Sequence, residues 1–233
     1  MTKQEAYDRI AQIGIVPVVR ASSSRQAMMA VEAVCRGGIP IAEITMTVPA
    51  AVPLIREVVK SLGSDVLVGA GTVLDAATAR QCVDAGAEFI VSPGLDAPTV
   101  EFAMAERVLV IAGALTPTEV MTALRLGADM VKIFPCGELG GADYIRALRG
   151  PFPHVPMVPT GGVNLENAAA FILAGAVALG VGGELIQSAA LASGNTRAIT
   201  ELARKFVIAV DDARSLCRRE RRPPQTGANP RRT

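Results

Sequence analysis

The chain of 233 residues is half hydrophobic and carries a formal net charge of +1. Its length suits one barrel-sized domain, and because the composition does not change before about residue 213, nothing indicates a second one. The charge is unevenly distributed, since seven arginines and one glutamate from Arg214 onwards give that segment +6 and leave −5 for the rest of the chain. A mildly acidic fold argues against a nucleic-acid-binding protein.

The start of the chain and its cysteines argue against two further classes. Residues 1–10 contain acidic side chains where a secretory signal would have an apolar core, and no later run is long enough to span a bilayer. The four cysteines are scattered, without a Cys-x-x-Cys pair or a histidine at metal-ligand spacing. We therefore expect a cytoplasmic protein with reduced thiols, no metal site, and no membrane or nucleic-acid partner.

A repeat of helix end, glycine and apolar run predicts the strands of a parallel sheet. Four runs follow a glycine in this way, and four more apolar runs have the length expected of strands covered by helices on both faces. In chain order the eight runs lie at 15–19, 37–44, 66–70, 85–93, 108–112, 126–135, 155–159 and 174–181. Helix-length patterns lie between strands at 24–36, 49–61, 75–85 and 117–126.

Eight strands alternating with helices predict a single (β/α)8 TIM barrel over residues 1–213, with an extra N-terminal helix. A doubly wound open sheet would need fewer strands and usually has a glycine fingerprint after the first, which is absent after Val19. Residues 195–216 predict an amphipathic helix that closes the barrel. Residues 214–233 are predicted to be a basic, disordered and solvated tail.

Lys132 is the residue of the predicted strands that points to catalysis. It lies in an apolar run closed by Pro135, whereas Lys3, Lys60 and Lys205 are predicted to be solvated. Removing an ammonium group from water is costly, so this site favours the neutral amine, a nucleophile that can form a Schiff base with a carbonyl carbon. The lysine could instead reach solvent from the strand end or pair with a buried carboxylate.

Polar residues cluster at the predicted carboxyl ends of the strands, where barrel enzymes have their active sites. Alternation places Glu43 and Lys132 on the inward faces of their strands, so they should meet in the barrel mouth. A buried carboxylate beside a Schiff-base lysine can move protons while a carbon–carbon bond breaks. The alternative is an ion pair that only neutralises itself. Other polar or small residues at these ends are Arg20, Thr45, Thr47, Thr72, Ser92, Gly113 and Thr160.

Two glycine pairs follow the last two predicted strands, Gly161 with Gly162 and Gly182 with Gly183. Barrels often bind phosphate at these two strand ends, because glycines let backbone N–H groups approach an anion and the following helix turns its positive end toward it. Tight turns use the same residues. His154, the only histidine, lies at the opposite end of the barrel and is interpreted as structural or exposed.

Seven motifs in this order resemble the 2-keto-3-deoxy-6-phosphogluconate (KDPG) and 4-hydroxy-2-oxoglutarate (KHG) aldolase family. They are IVPVVR at 15–20, EITMTVP at 43–49, GAGTV at 69–73, FIVSPG at 89–94, LTPTE at 115–119, VKIFP at 131–135 and VPTGGVN at 158–164. The resemblance implies a class I aldolase that needs no cofactor or metal, with Lys132 as the Schiff-base residue and Glu43 as the acid and base. Family members are typically homotrimers.

The resemblance also implies the substrate site. Arg20, Thr72 and Thr160 would hold the keto-acid carboxylate and neighbouring oxygens, and Phe134 and Pro93 would line the same site. The two glycine pairs would bind a phosphate. The reaction would cleave KDPG to pyruvate and glyceraldehyde 3-phosphate, KHG to pyruvate and glyoxylate, or both.

Two positions depart from the family pattern. Some members have arginine in place of Thr47, and others have a phosphate-binding serine in place of Glu184. A carboxylate beside a phosphate is repulsive unless it turns away, although the dipole of a helix that began there would favour it. Two other functions therefore remain: a phosphate-binding isomerase or synthase in which Lys132 is only an electrostatic clamp, and a non-catalytic barrel that binds a metabolite.

Overall fold

The computed structural model describes residues 1–220, which contain eight strands and ten α-helices. The strands are β1 (Ile15–Val19), β2 (Ile41–Thr45), β3 (Leu67–Gly71), β4 (Phe89–Val91), β5 (Leu109–Ala114), β6 (Met130–Ile133), β7 (Met157–Pro159) and β8 (Leu179–Val181). The helices are α1 (Lys3–Ile13), α2 (Ser24–Arg36), α3 (Ala51–Leu62), α4 (Ala76–Asp84), α5 (Ala97–Ala105), α6 (Pro117–Arg125), α7 (Gly141–Arg149), α8 (Ala168–Leu173), α9 (Ser188–Ala192) and α10 (Thr196–Glu220). Each predicted strand is present, although several are shorter than the apolar run that indicated them.

The eight strands form one parallel sheet in the order β7-β6-β5-β4-β3-β2-β1-β8. The two outer strands of this order also meet, because Thr160 after β7 forms a parallel bridge with Gly180 of β8. A sheet whose ends meet is a barrel, so the predicted (β/α)8 architecture is confirmed and the open sheet is excluded.

Glycines at the helix ends explain the repeat in the sequence. Gly86 and Gly127 have φ of +103° and +89°, in the left-handed region that residues with a Cβ rarely adopt. Each glycine therefore ends its helix and turns the chain into the next strand, β4 or β6. All residues of these two strands are buried, as expected for strands covered by helices outside and by side chains inside.

The N-terminal helix α1 is present as predicted and packs against β5. A capping box between Thr2 and Glu5 starts it, and the buried side chains of Ala6 and Ile10 join the hydrophobic core. Gly14 ends α1 in the left-handed conformation, and β1 begins at the next residue.

Helix α10 extends to Glu220, past the predicted barrel boundary at residue 213. Arg214, expected to begin the tail, is half-buried and donates hydrogen bonds to the carbonyls of Ala11 (2.7 Å), Val177 (3.0 Å) and Gln12. The arginine-rich composition suggested a solvated tail, but arginine and leucine are good helix formers and Arg214 has acceptors at the end of α1. Residues 221–233 of the predicted tail lie outside the described part of the chain. None of the helices within residues 1–220 is long and apolar enough to cross a membrane.

Candidate active site

Glu43 and Lys132 meet at the centre of the barrel, as the alternation of their strands predicts. Strands β2 and β6 are separated by three strands on either side and therefore lie opposite each other. The Lys132 Nζ atom lies 3.9 Å from the Glu43 Oε1 atom, and the two side chains are only 5% and 3% exposed. An amine and a carboxyl group thus face each other away from bulk solvent.

A glycine on the neighbouring strand makes room for the Glu43 side chain. Glu43 pairs in register with Gly69 of β3, and Gly71 lies two residues further along the same strand. A Cβ atom at Gly71 would lie 2.0 Å from Glu43 Oε1 and 2.5 Å from its Cγ. Sequence analysis missed the role of Gly71, although alternate glycines in a strand were the available signal.

Burial and the nearby charges shift the pKa of Glu43 in opposite directions. Burial raises the pKa of this carboxyl group, while the nearby charges of Lys132 and Arg20 partly lower it. Among the buried side-chain oxygen and nitrogen atoms of residues 1–220, only Glu43 Oε1 has no hydrogen-bond partner. The 3.9 Å to Lys132 Nζ is too long for a hydrogen bond. The carboxyl group is therefore able to exchange a proton with a group placed between it and the lysine.

Phe134 connects the buried pair to the surface. The Lys132 Nζ atom lies 5.3 Å from the centre of the Phe134 ring, within range of a cation–π interaction. The ring is also close to Gly161, where a Cβ atom would lie 3.3 Å from Phe134 Cδ2. One aromatic side chain thus contacts both the lysine and the first glycine pair.

A cavity of about 210 Å³ opens at this end of the barrel and brings together most of the predicted site. Seven predicted residues line it, namely Arg20, Phe134, Thr160, Gly161, Gly162, Gly182 and Gly183. Val18, Val163, Gly180 and Glu184 complete the lining. The cavity therefore joins the ends of β1, β6, β7 and β8. Lys132 and Glu43 do not line it, and Phe134 lies between the cavity and the lysine.

The glycine pairs lie in turns and not at the first residue of a long helix. After β8, the Ile186 N–H donates to the Gly182 carbonyl (2.8 Å) in a single turn, and the short helix α9 begins only at Ser188. After β7, α8 begins at Ala168. We expected a helix to begin at each glycine pair and to direct its positive end at an anion there, but both helices begin several residues later. Backbone N–H groups of the turns remain the donors available to an anion.

Thr72 and Pro93 do not line this cavity. Both are half-buried at the ends of their strands. Thr72 has a φ of +56°, which is unusual for a β-branched residue and marks a strained turn directly after Gly71. The Pro93 backbone packs against Gly113, where a Cβ atom would lie 2.3 Å from the Pro93 carbonyl carbon. Thr72 and Pro93 thus follow β3 and β4, which lie between β2 and β6 in the strand order.

A second cavity of about 400 Å³ adjoins the first, because Arg20 lines both. Its other lining residues are Ala21, Ser22, Gln26, Thr47, Ser188, Leu191 and Ala192. Arg20 is exposed and forms no salt bridge with another residue of the described chain. Sequence analysis predicted Arg20 and noted Thr47, but it missed Ser22, Gln26 and Ser188, which come from loops and short helices without a recognisable motif.

His154 is exposed, in agreement with its interpretation as a residue outside the site. Within residues 1–220, no group of three or more histidine, cysteine, aspartate or glutamate side chains is placed to hold a metal ion.

Known proteins resemble the chain over most of its length. A family model described as aldolase, KDPG and KHG aldolase, matches residues 7–202. A 2-dehydro-3-deoxy-phosphogluconate aldolase of Treponema pallidum is 33% identical over 199 residues, which is 85% of this chain and 94% of that protein. A KHG/KDPG aldolase of Escherichia coli strain K12 is 33% identical over 193 residues, covering 83% and 90%.

Among solved structures, a KDPG aldolase from Legionella pneumophila superimposes with a TM-score of 0.81 and 29% identity. The match covers 86% of this chain and 97% of that chain. Pyruvate was captured in that crystal at low pH as a covalent carbinolamine intermediate.

Proposed function

Because the chain belongs to the KDPG and KHG aldolase family, we propose that it is a class I aldolase that cleaves a 2-keto-4-hydroxy acid to pyruvate and an aldehyde. KDPG, which gives glyceraldehyde 3-phosphate, and KHG, which gives glyoxylate, are the two substrates that the family indicates. The observation that carries the proposal is the buried Lys132 facing Glu43 across 3.9 Å inside the barrel.

The first part of the reaction forms an imine on Lys132. The neutral amine attacks the C2 carbonyl carbon of the keto acid, and a proton moves from nitrogen to oxygen to give a carbinolamine. Glu43 then donates a proton to the carbinolamine hydroxyl group, which leaves as water, and a protonated imine remains. The raised pKa of Glu43 favours this step, because a protonated carboxyl group is available at higher pH than usual.

The second part breaks the carbon–carbon bond. The Glu43 carboxylate takes the proton of the C4 hydroxyl group, the C3–C4 bond breaks, and its electron pair moves into the protonated imine to form an enamine. The aldehyde is released. The enamine takes a proton at C3, and water hydrolyses the resulting imine to free pyruvate and restore the lysine. The covalent imine supplies the electron sink.

Substrate binding is assigned to the residues around this pair. Arg20 carries a cation at the rim, and we assign it to the keto-acid carboxylate together with the hydroxyl groups of Thr160 and Thr72. We assign Phe134 and Pro93 to the walls of the site between these polar side chains and Lys132. The glycine pairs at 161–162 and 182–183 offer backbone N–H groups to the distal part of the substrate.

We further propose a homotrimer, as the resemblance to the family implies, and a cytoplasmic location, as the four unpaired cysteines suggest. Sedimentation equilibrium tests the assembly, and a monomer at all concentrations would contradict it.

Borohydride trapping with pyruvate tests the proposed chemistry. The expected result is a reduced pyruvyl adduct on Lys132, found by intact mass and peptide mapping. Lys132→Met should give no adduct, whereas Lys205→Met, which changes an exposed lysine on α10, should give the wild-type amount. A folded wild-type protein without an adduct would contradict the proposal and favour a barrel in which Lys132 is only an electrostatic clamp, or one that only binds a metabolite.

A further inference from the structure

The cavity at the barrel mouth contains two ionisable side chains of opposite charge. Of the residues that line it, only Arg20 and Glu184 carry a charge. Both are exposed, and neither forms a salt bridge or a side-chain hydrogen bond with another residue of the described chain. They come from different strand ends, since Arg20 follows β1 and Glu184 follows the glycine pair after β8. The two charges are therefore both available to a bound substrate.

The arginine lies beside the strand of the acid–base residue. It follows β1, which pairs with β2, and Val18 of β1 is in register with Glu43. A 2-keto acid attached to Lys132 carries its carboxylate directly on the imine carbon, so this carboxylate forms the ion pair with Arg20. The part of the substrate beyond C4 then meets the glycine turns and Glu184, with no second cation in the lining.

A carboxylate and a phosphate monoester have an unfavourable interaction, because the phosphate carries close to two negative charges at neutral pH. Backbone N–H groups of the glycine turns attract that phosphate, but they provide partial charges only. A hydroxyl group at the same position can donate a hydrogen bond to the carboxylate instead. Glu184 therefore distinguishes the two kinds of substrate end.

We propose that Glu184 is a specificity-determining residue of the proposed aldolase, which favours a 2-keto-4-hydroxy acid that ends in a hydroxyl group over the same acid that ends in a phosphate monoester. This inference rests on the proposed function. It concerns the ratio of the two rates and leaves the imine chemistry of Lys132 and Glu43 unchanged.

The test compares KDPG with its unphosphorylated form, 2-keto-3-deoxygluconate, in the wild type, Glu184→Gln and Glu184→Ser. In both variants the ratio of kcat/KM for the phosphorylated acid to that for the unphosphorylated acid should rise about tenfold, mainly through KM. Glu101→Gln is the matched control, because it removes one exposed carboxylate from α5, far from the cavity lining, and should leave the ratio unchanged.

Ionic strength gives a readout that a merely structural role would not affect. Salt screens exposed charges, so the wild-type ratio should rise between about 20 mM and 500 mM salt, and the ratio in Glu184→Gln should change much less. A ratio that stays within about twofold of the wild type in both Glu184 variants would overturn the inference.

Pyruvate trapping on the same preparations separates this inference from the proposed function. Absence of an adduct on Lys132 contradicts the aldolase itself, whereas an adduct together with an unchanged ratio contradicts only the role of Glu184. If trapping succeeds but neither acid is cleaved, competition of the two acids against pyruvate trapping makes the same comparison. Equal competition in the wild type and Glu184→Gln would then overturn the inference.

Discussion

Replacing Gly71 with alanine should disable Glu43, the proposed acid–base residue, without replacing any polar side chain. The added Cβ atom would lie 2.0 Å from Glu43 Oε1 and 2.6 Å from its Cδ, against 3.4 Å or more in ordinary contact. Gly71 does not have a positive φ, so the backbone accepts alanine and the conflict falls on the Glu43 side chain. The carboxyl group has to move by more than an ångström from its present position, 3.9 Å from Lys132 Nζ.

The expected loss follows from the proposed role of Glu43. General acid–base catalysis contributes about 10² to 10⁴ in rate, and a displacement of about 1 Å can cost about a hundredfold. We therefore expect kcat/KM for cleavage to fall about 10² to 10⁴ times. Overpacking should also lower the free energy of unfolding by about 1–3 kcal/mol. Lys132 remains in place, so pyruvate trapping should still occur, but more slowly.

Continuous measurement of pyruvate release gives kcat/KM, and thermal unfolding shows whether the variant is folded. Gly94→Ala is the matched control, because no atom lies within 4 Å of its added Cβ and its φ is not positive. It should change stability by no more than about 0.5 kcal/mol and leave activity unchanged. A folded Gly71→Ala protein that keeps more than about a tenth of the wild-type kcat/KM would refute the assignment of Glu43 as the base.

Two further predictions concern pH and stability. Burial raises the pKa of Glu43 above the 4.5 of an ordinary glutamate. On acidification, the carboxylate form that cleavage needs should therefore be lost at a higher pH than 4.5. The pH profile of kcat/KM checks this, and an acid limb at or below pH 4.5 contradicts it. Removing the side chain in Arg214→Ala takes hydrogen bonds from the carbonyls of Ala11, Gln12 and Val177. The free energy of unfolding should then fall by about 2 kcal/mol, which lowers Tm by about 4–8 °C. Arg219→Ala, at an exposed position of the same helix, should have little effect, and equal Tm values for the two variants would show that the Arg214 hydrogen bonds contribute no stability.

The central pair could be predicted from the sequence because two simple periodicities determine it. Alternation along a strand sets which face Glu43 and Lys132 occupy, and the strand count places β2 opposite β6. Neither step needs knowledge of loops. The glycine before each of four strands was equally informative, because a left-handed residue at a helix end is a local requirement of the backbone.

Features that depend on contacts between distant segments could not be predicted in this way. The end of α10 depends on acceptors around residues 11, 12 and 177, far from Arg214 in the chain. The cavity next to Arg20 combines the loop after β1, the turn after β2 and the short helix α9. Likewise, the need for Gly71 appears only when the Glu43 side chain is placed against it in three dimensions.

The buried pair is better explained by acid–base chemistry than by stability or by a simple electrostatic role for Lys132. A buried charge pair adds little to stability, because desolvation offsets the attraction, and here Glu43 Oε1 lacks even a hydrogen bond. The barrel also gives up a side chain at Gly71, because the Glu43 carboxyl group occupies the space that a Cβ atom would fill there. A clamp for an anion needs a cation only, and a carboxyl group beside it would weaken that clamp. A carboxyl group with a raised pKa, facing the lysine and free to accept a proton, is what cleavage through an imine requires.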